Sequence, residues 1–347
     1  MKSATKESTP DFIVKMPKCE LHRHLAGCIT PELIVELAER FAVPVPSRDL
    51  EELDRLVVLR QPMETLQQVL ACFHLFMGLF TSPRVVRYVT ERVIDDAARD
   101  GIRYLELRFS PGFVANSHGL NLVDVMDAVV AGAAAAATRN AMTVPLIAIA
   151  SREMGAAVCL ETFRLAADYL PHVVAVDLAG DEDGFPPELF VEAFELARSA
   201  GLAATVHAGE QANPGNVRTA VEKLHATRIG HGIRVVDEPE IMELLKTRRV
   251  ALEISVTSNY IVGAVPTPAE HPVGRLMEAG VPVTINSDDP ALFGITLSSE
   301  LSQFARLWGH SRGDLVRNQL ESLDHAFASP AEIGLARQEL HHWWNRV

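Results

Sequence analysis

The chain has 347 residues, 48% of them hydrophobic and 22% charged, which supplies enough apolar surface for a sizeable core and excludes disorder as the main state. Its 45 Asp and Glu outnumber 32 Lys and Arg, giving a formal net charge of −13, and with no basic run a nucleic-acid backbone is excluded as a partner. Residues 1–11 are polar, no apolar stretch approaches the roughly 20 residues of a membrane span, and Cys19, Cys28, Cys72 and Cys159 are scattered. A cytoplasmic protein without membrane contact or structural disulfides is expected.

The first predicted strand, 19–25, is followed by a segment, 31–98, too long for one crossover and read as several inserted helices. Further short runs rich in Val, Ile and Leu follow at 103–109, 145–150, 173–178, 203–207, 228–230, 250–255 and 282–286. Runs such as Val173-Val174-Ala175-Val176 suit strands of a parallel sheet covered on both faces. Amphipathic segments such as 188–201 and 216–227 lie between them, and 311–344 reads as additional C-terminal helices. Eight strand–helix alternations predict an α/β fold, a (β/α)8 TIM barrel forming a single domain over 1–347. A doubly wound sheet is disfavoured because no Gly-x-Gly-x-x-Gly follows any strand.

The polar residues cluster at the C-terminal ends of the apolar runs. Strand 1 ends in His22-Arg23-His24, strand 5 in His207-Ala208-Gly209-Glu210, strand 6 in His231, and strand 8 in Asp288-Asp289. In a parallel barrel these ends converge on the face that carries the active site. His22 and His24, two apart on a strand, share a face. A lone His-x-His is a weak signal, and two surface histidines would explain it. With His207 and Asp288 at matching strand ends, the set reads as one catalytic metal site, with zinc the first choice and iron or manganese compatible with the same donors. Glu210 then stands over the barrel mouth, His231 lies between two glycines that leave its ring uncrowded, and Asp289 must point away from Asp288. A divalent ion lowers the pKa of its water to roughly 7, and the neighbouring His and Glu supply acid–base groups. Such a site hydrolyses an electron-poor carbon; spacing alone does not choose between a carboxamide, a lactone and an aromatic amidine.

Six strings in order carry a further signal: Pro17–Leu25, Tyr104–Pro111, Val176–Glu182, Thr205–Glu210, Arg228–Gly232 and Ser287–Pro290. From about residue 12 to 310 the chain resembles the adenosine deaminase family of metal-dependent amidohydrolases. The resemblance implies one zinc per chain held by His22, His24, His207 and Asp288, and zinc-activated water attacking C6 of a 6-aminopurine nucleoside with loss of ammonia. It implies that Glu210 protonates ring N1, that His231 orients and deprotonates the water, that Asp289 hydrogen-bonds N7, and that the Gly180 backbone contacts N3. Leu66, Val69, Leu70 and Phe73, at helical spacing, are expected to form an apolar lid over the purine, unless they are simply core.

The departures concern specificity. Family members acting on adenosine usually carry Asp two residues after the second strand-1 histidine, where it meets the ribose 5′-hydroxyl; here that residue is Ala26. Losing such a buried hydrogen bond costs about 1–3 kcal/mol. The substrate is therefore expected to be adenosine or 2′-deoxyadenosine bound by another 5′ contact, or a 5′-extended nucleoside such as 6-aminodeoxyfutalosine or S-adenosylhomocysteine. A metal-dependent amide or lactone hydrolase on the same barrel is the alternative. Ser255-Val256-Thr257-Ser258-Asn259 stands where many relatives have Cys-Pro before Ser-Asn, and Phe109-Ser110-Pro111-Gly112 replaces the Phe-Asp-Pro-Gln usual in fungal-type adenine deaminases, favouring a nucleoside. Arg152 and Glu153 are expected at the sugar end, and Arg23 in a structural role facing the helices.

Overall fold

Near-continuous apolar runs need both faces covered, and a ring of parallel strands inside a ring of helices covers them. The structure is a computed structural model that describes residues 9–63, 66–211 and 213–347, with backbone only for 66–71. Eight parallel strands follow one another in chain order: β1 (Lys18–His24), β2 (Ile102–Phe109), β3 (Leu146–Ser151), β4 (Val173–Ala179), β5 (Ala203–Ala208), β6 (Arg228–His231), β7 (Ala251–Ile254) and β8 (Val283–Ile285). Just past β8 the chain returns to β1. The His24 N–H donates to the Asp288 carbonyl and the Asp288 N–H to the His22 carbonyl, each at 2.9 Å. This join makes the (β/α)8 barrel and sets Asp288 beside both strand-1 histidines.

β1 carries a bulge. Glu20 pairs with Leu105 and Arg23 with Leu107, so three steps on β1 match two on β2. Arg23 is buried and its Nε donates to Cys28 Sγ at 3.1 Å, in keeping with a structural role.

The insertion after β1 contains helices Pro31–Phe41, Leu50–Val57, Leu66–Gly78 and Pro83–Arg99. Thr30, Asp49 and Ser82 cap three of them by accepting a backbone N–H three residues on. The last buries Val85, Val86, Val89, Val93 and Ile94 along one stripe. It crosses helix Leu122–Asn140 at Gly132, where an added Cβ would lie 2.8 Å from the Arg87 carbonyl. C-terminal helices Arg312–Ser322 and Pro330–Trp344 each begin with a capping box, at Ser311–Asp314 and Ser329–Glu332.

Some elements are shorter than their patterns suggest. The segment 188–201 opens as a 3-10 turn, Pro187–Phe190, before the helix Val191–Ser199. The helix expected over 216–227 is Gly215–Glu222, because His225 at φ 55° turns the chain into β6. β7 stops at Ile254 and the chain enters helix Val256–Ile261, which carries Ser258 and Asn259. Among the described residues no helix is long and apolar enough to cross a membrane.

Candidate active site

The strand ends bring the predicted ligands together. His22, His24 and Asp288 offer donor atoms within 4.8 Å of one another, as do His22, His207 and His231, with His22 common to both groups. His22 Nε2 and His24 Nε2 each lie 3.2 Å from Asp288 Oδ1. The His207 ring centroid is 4.7 Å from that of His22 and 5.3 Å from that of His24. Three imidazole nitrogens and a carboxylate at this spacing fit a divalent cation of zinc type.

The rings are aimed from behind. His22 Nδ1 lies 2.7 Å from Glu253 Oε2, and His207 Nδ1 lies 3.1 Å from Asp177 Oδ1. Each contact leaves Nε2 free to face the centre, the usual carboxylate–histidine arrangement behind a metal. Arg108 joins the two carboxylates, donating to Asp177 Oδ2 at 2.9 Å and Glu253 Oε2 at 2.8 Å. Arg228 ties Glu253 to Glu106. These five charged side chains are fully buried, so each stays charged only through its partners.

Asp288 and His231 sit in left-handed backbone, at φ 62° and 63°. The other non-glycine residues with positive φ among those described are Ala42, Ala141 and Arg249 at helix ends and His225 in a turn. Strain held at two site residues is characteristic of functional geometry. Ser258 Oγ donates to Asp288 Oδ2 at 2.7 Å. Asn259 Nδ2 donates to Glu210 Oε1 at 2.9 Å and lies 3.2 Å from His231 Nδ1. Burial, then the Asp288 and Glu182 charges, push the Glu210 carboxyl up to about 8. Burial likewise drives His231 well below its usual value. Asp289 is raised far above the carboxylate range by burial, Asp288 and Glu210, and its buried Oδ1 has no hydrogen-bond partner. Gly27 is required beside it, since a Cβ there would overlap the Asp289 carboxyl.

His24, His207, Glu210, His231, Asp288 and Asp289 open into a cavity of about 660 Å³, a size ordinary for a small-molecule site. Phe73, Met77, Phe80, Phe113, Val262 and Phe293 give it apolar walls, and Ala26, Gly180, Asp181 and Asp183 also line it. Of the expected lid, Phe73 is on the cavity wall, while the side chains of Leu66, Val69 and Leu70 fall outside the described residues. Glu153 lies on the wall, where Oε1 accepts the Asp181 N–H at 2.6 Å. Arg152 does not reach the sugar end. It is buried and donates to the carbonyls of Phe185 at 2.8 Å and His207 at 2.7 Å, bracing the back of β5.

An adenosine deaminase family model matches residues 17–340. The chain belongs to the adenosine deaminase family. It is 36% identical over 327 residues to the adenosine deaminase of Salmonella typhimurium, covering 94% of this chain and 98% of that protein. The adenine deaminase structure from Arthrobacter aurescens superposes with a TM-score of 0.87 at 28% identity, covering 95% of this chain and 99% of that one. A zinc-bound amidohydrolase from Burkholderia ambifaria superposes with a TM-score of 0.88 at 26% identity, covering 99% and 96%. Adenosine deaminase family membership makes this a metal-dependent hydrolytic deaminase fold acting on purines.

Asp177, Glu253, Arg108, Arg228, Glu182, Asn259 and His271 join the site only in the folded structure. A signal existed for the first four, since a charge inside an apolar run such as Leu252-Glu253-Ile254 is costly unless paired. Glu182 accepts the Gly209 N–H at 2.8 Å and the Glu210 N–H at 3.0 Å, fixing the loop that presents Glu210. His271 lies between short helical turns and carried no sequence signal.

Proposed function

We propose that the chain hydrolytically deaminates a 6-aminopurine nucleoside, releasing ammonia. The observation that carries this reading is a pair of carboxyls, Glu210 and Asp289, that face one cavity beside the His/Asp cluster, where burial and neighbouring carboxylates raise both above the usual carboxylate range and favour the protonated, hydrogen-bond-donating form. A purine presents ring nitrogens that only accept hydrogen bonds, so recognising two of them takes two donors. Glu210 hands its proton to N1, drawing electrons from C6; Asp289 donates to N7; the Gly180 N–H reaches N3. Gly180 permits that approach at φ 109°, where a Cβ would overlap the Glu153 carboxylate.

His22, His24, His207 and Asp288 would hold one zinc ion. Bound there, it supplies a water activated for attack at neutral pH. His231 Nε2, the ring nitrogen turned away from Asn259, and Asp288 Oδ2 lie 3.9 Å apart and would border that water. The apolar wall formed by Phe73, Met77 and Phe80 excludes bulk water.

At the outer wall Glu153, Asp181 and Asp183 stand together. Among the described residues Arg108 is the one Lys or Arg on the lining, and its guanidinium is already committed to Asp177 and Glu253. This acidic rim repels a 5′-phosphate and accepts a neutral or cationic 5′ group, and Ala26 leaves room for one larger than hydroxyl.

The deciding experiment is a deamination panel on zinc-loaded protein: adenosine, 2′-deoxyadenosine, adenine, AMP, 5′-methylthioadenosine, S-adenosylhomocysteine and 6-aminodeoxyfutalosine. Nucleosides are expected to lead and AMP to trail. A 5′-extended nucleoside beating adenosine tenfold, about 1.4 kcal/mol in transition-state binding, assigns the enlarged 5′ pocket to Ala26. Adenosine in the lead refutes that pocket, and adenine in the lead refutes the nucleoside reading. Ala26→Asp is expected to shift preference toward adenosine by a similar factor.

A further inference from the structure

Behind the cavity floor runs a line of hydrogen bonds whose directions are all set by one backbone group. The Val273 N–H donates to His271 Nδ1 at 3.1 Å, so that nitrogen carries no proton. Burial keeps the His271 ring neutral, pushed down to about 3, and its single proton therefore sits on Nε2. From there it is donated to Asn259 Oδ1 at 3.0 Å.

This fixes the amide. Turning Asn259 over would set its NH2 against the His271 N–H, two donors face to face in a site that is fully buried at Asn259. With Oδ1 committed, the two amide hydrogens point to Glu210 Oε1 at 2.9 Å and His231 Nδ1 at 3.2 Å. His231 Nδ1 is therefore an acceptor, and the proton of the neutral ring lies on Nε2, facing the cavity. The same amide occupies Glu210 Oε1 as acceptor and leaves Oε2 to carry the acid proton.

We propose that Asn259 and His271 are positioning residues that lock His231 in its Nε2–H tautomer, so that His231 donates a hydrogen bond to the attacking oxygen instead of taking the water's proton. The inference rests on the deaminase reading above and replaces the base role that the family resemblance implied for His231. No proton is exchanged at the ring; the proton that the water gives up passes to the Asp288 carboxylate, whose Oδ2 lies 3.9 Å from His231 Nε2, and from there to the amino group that leaves as ammonia. A fixed neutral imidazole aimed at the developing negative charge stabilises the transition state without reorganisation.

The test is the ¹⁵N spectrum of histidine-labelled, zinc-loaded protein, with His231 assigned by its loss in His231→Gln. The expected pattern has the proton on Nε2 of both His271 and His231. A proton on Nδ1 of His231 in the wild-type protein overturns the proposal, and this reading needs no variant to fold. His271→Phe, which keeps the ring shape and loses the donor, is expected to mix the His231 tautomers and to lower kcat by about tenfold or more with little change in KM. His271→Gln, which restores a donor to Asn259, is expected to recover most of that loss. A His271→Phe protein with unchanged kcat and an unchanged His231 spectrum refutes the positioning role. If the Nε2–H pattern is present but no aminopurine is deaminated, the functional reading fails and the tautomer assignment stands.

Discussion

In the proposed reaction Glu210 can act as an acid because of where it is buried. Its usual carboxyl range lies well below neutrality, and desolvation reinforced by Asp288 and Glu182 moves it to about 8. For an acid raised in this way the proton is held below that value and lost above it. The rate of a reaction that needs this proton therefore falls as pH climbs through about 8. A pH profile of kcat/KM should show that basic limb, and a flat profile to pH 10 would contradict the role. Glu210→Gln keeps the shape and loses the proton; a fall in kcat of roughly 10²–10⁴ is expected, the range of general acid catalysis. Gly27 is a quieter constraint. Gly27→Ala should displace the Asp289 carboxyl, and substrate affinity measured by KM should weaken while the zinc content stays the same.

At the scale of the element, β7 contributes a single charged side chain, Glu253, that serves four strands. It receives Arg228 from β6, Arg108 from β2 and the Thr205 hydroxyl at 3.0 Å from β5, while fixing His22 on β1. Glu253→Gln removes the charge behind His22 with little change of volume. Zinc affinity, read by competition with a chromophoric chelator, is expected to fall about 10–100-fold, as for other partners of metal-bound histidines. Glu253→Ala should also unfold the protein at lower temperature, since stranding buried partners costs roughly 3–5 kcal/mol. Unchanged zinc affinity in Glu253→Gln would remove Glu253 from the site. Helix Val256–Ile261 shows the same economy, with Ser258 directed to Asp288 and Asn259 to Glu210 and His231.

Across the whole molecule, the barrel is joined where its chemistry is. The β8–β1 seam runs through the backbone of Asp288, the residue whose carboxylate also meets His22 and His24. A cation bound there would stabilise the seam by mass action, about 2.7 kcal/mol at a free concentration one hundred times its Kd. Stripping the protein with a chelator should lower Tm, and adding zinc back should restore it; a Tm indifferent to zinc would argue that the cluster holds no ion. At the opposite end the C-terminal segment closes the barrel floor, with the Phe327 N–H donating to Glu106 Oε1 at 2.6 Å and the Ala328 N–H to the Tyr104 hydroxyl at 3.1 Å.

The barrel and the ring of donor residues at its mouth were legible in the chain because both are written in local order. Apolar runs of strand length, four of them ending in His, Asp or Glu, state their own periodicity, and parallel closure brings those ends together. What the tertiary structure decided lies across the barrel. Glu253 meets His22 over a separation of 231 residues and Arg108 over 145, Arg152 turns away from the sugar end, and His271 enters through Asn259. None of these contacts leaves a mark in the local pattern. A buried charge or ring takes its role from the partners it finds inside the fold, and those partners are chosen by packing in three dimensions, not by spacing along the chain.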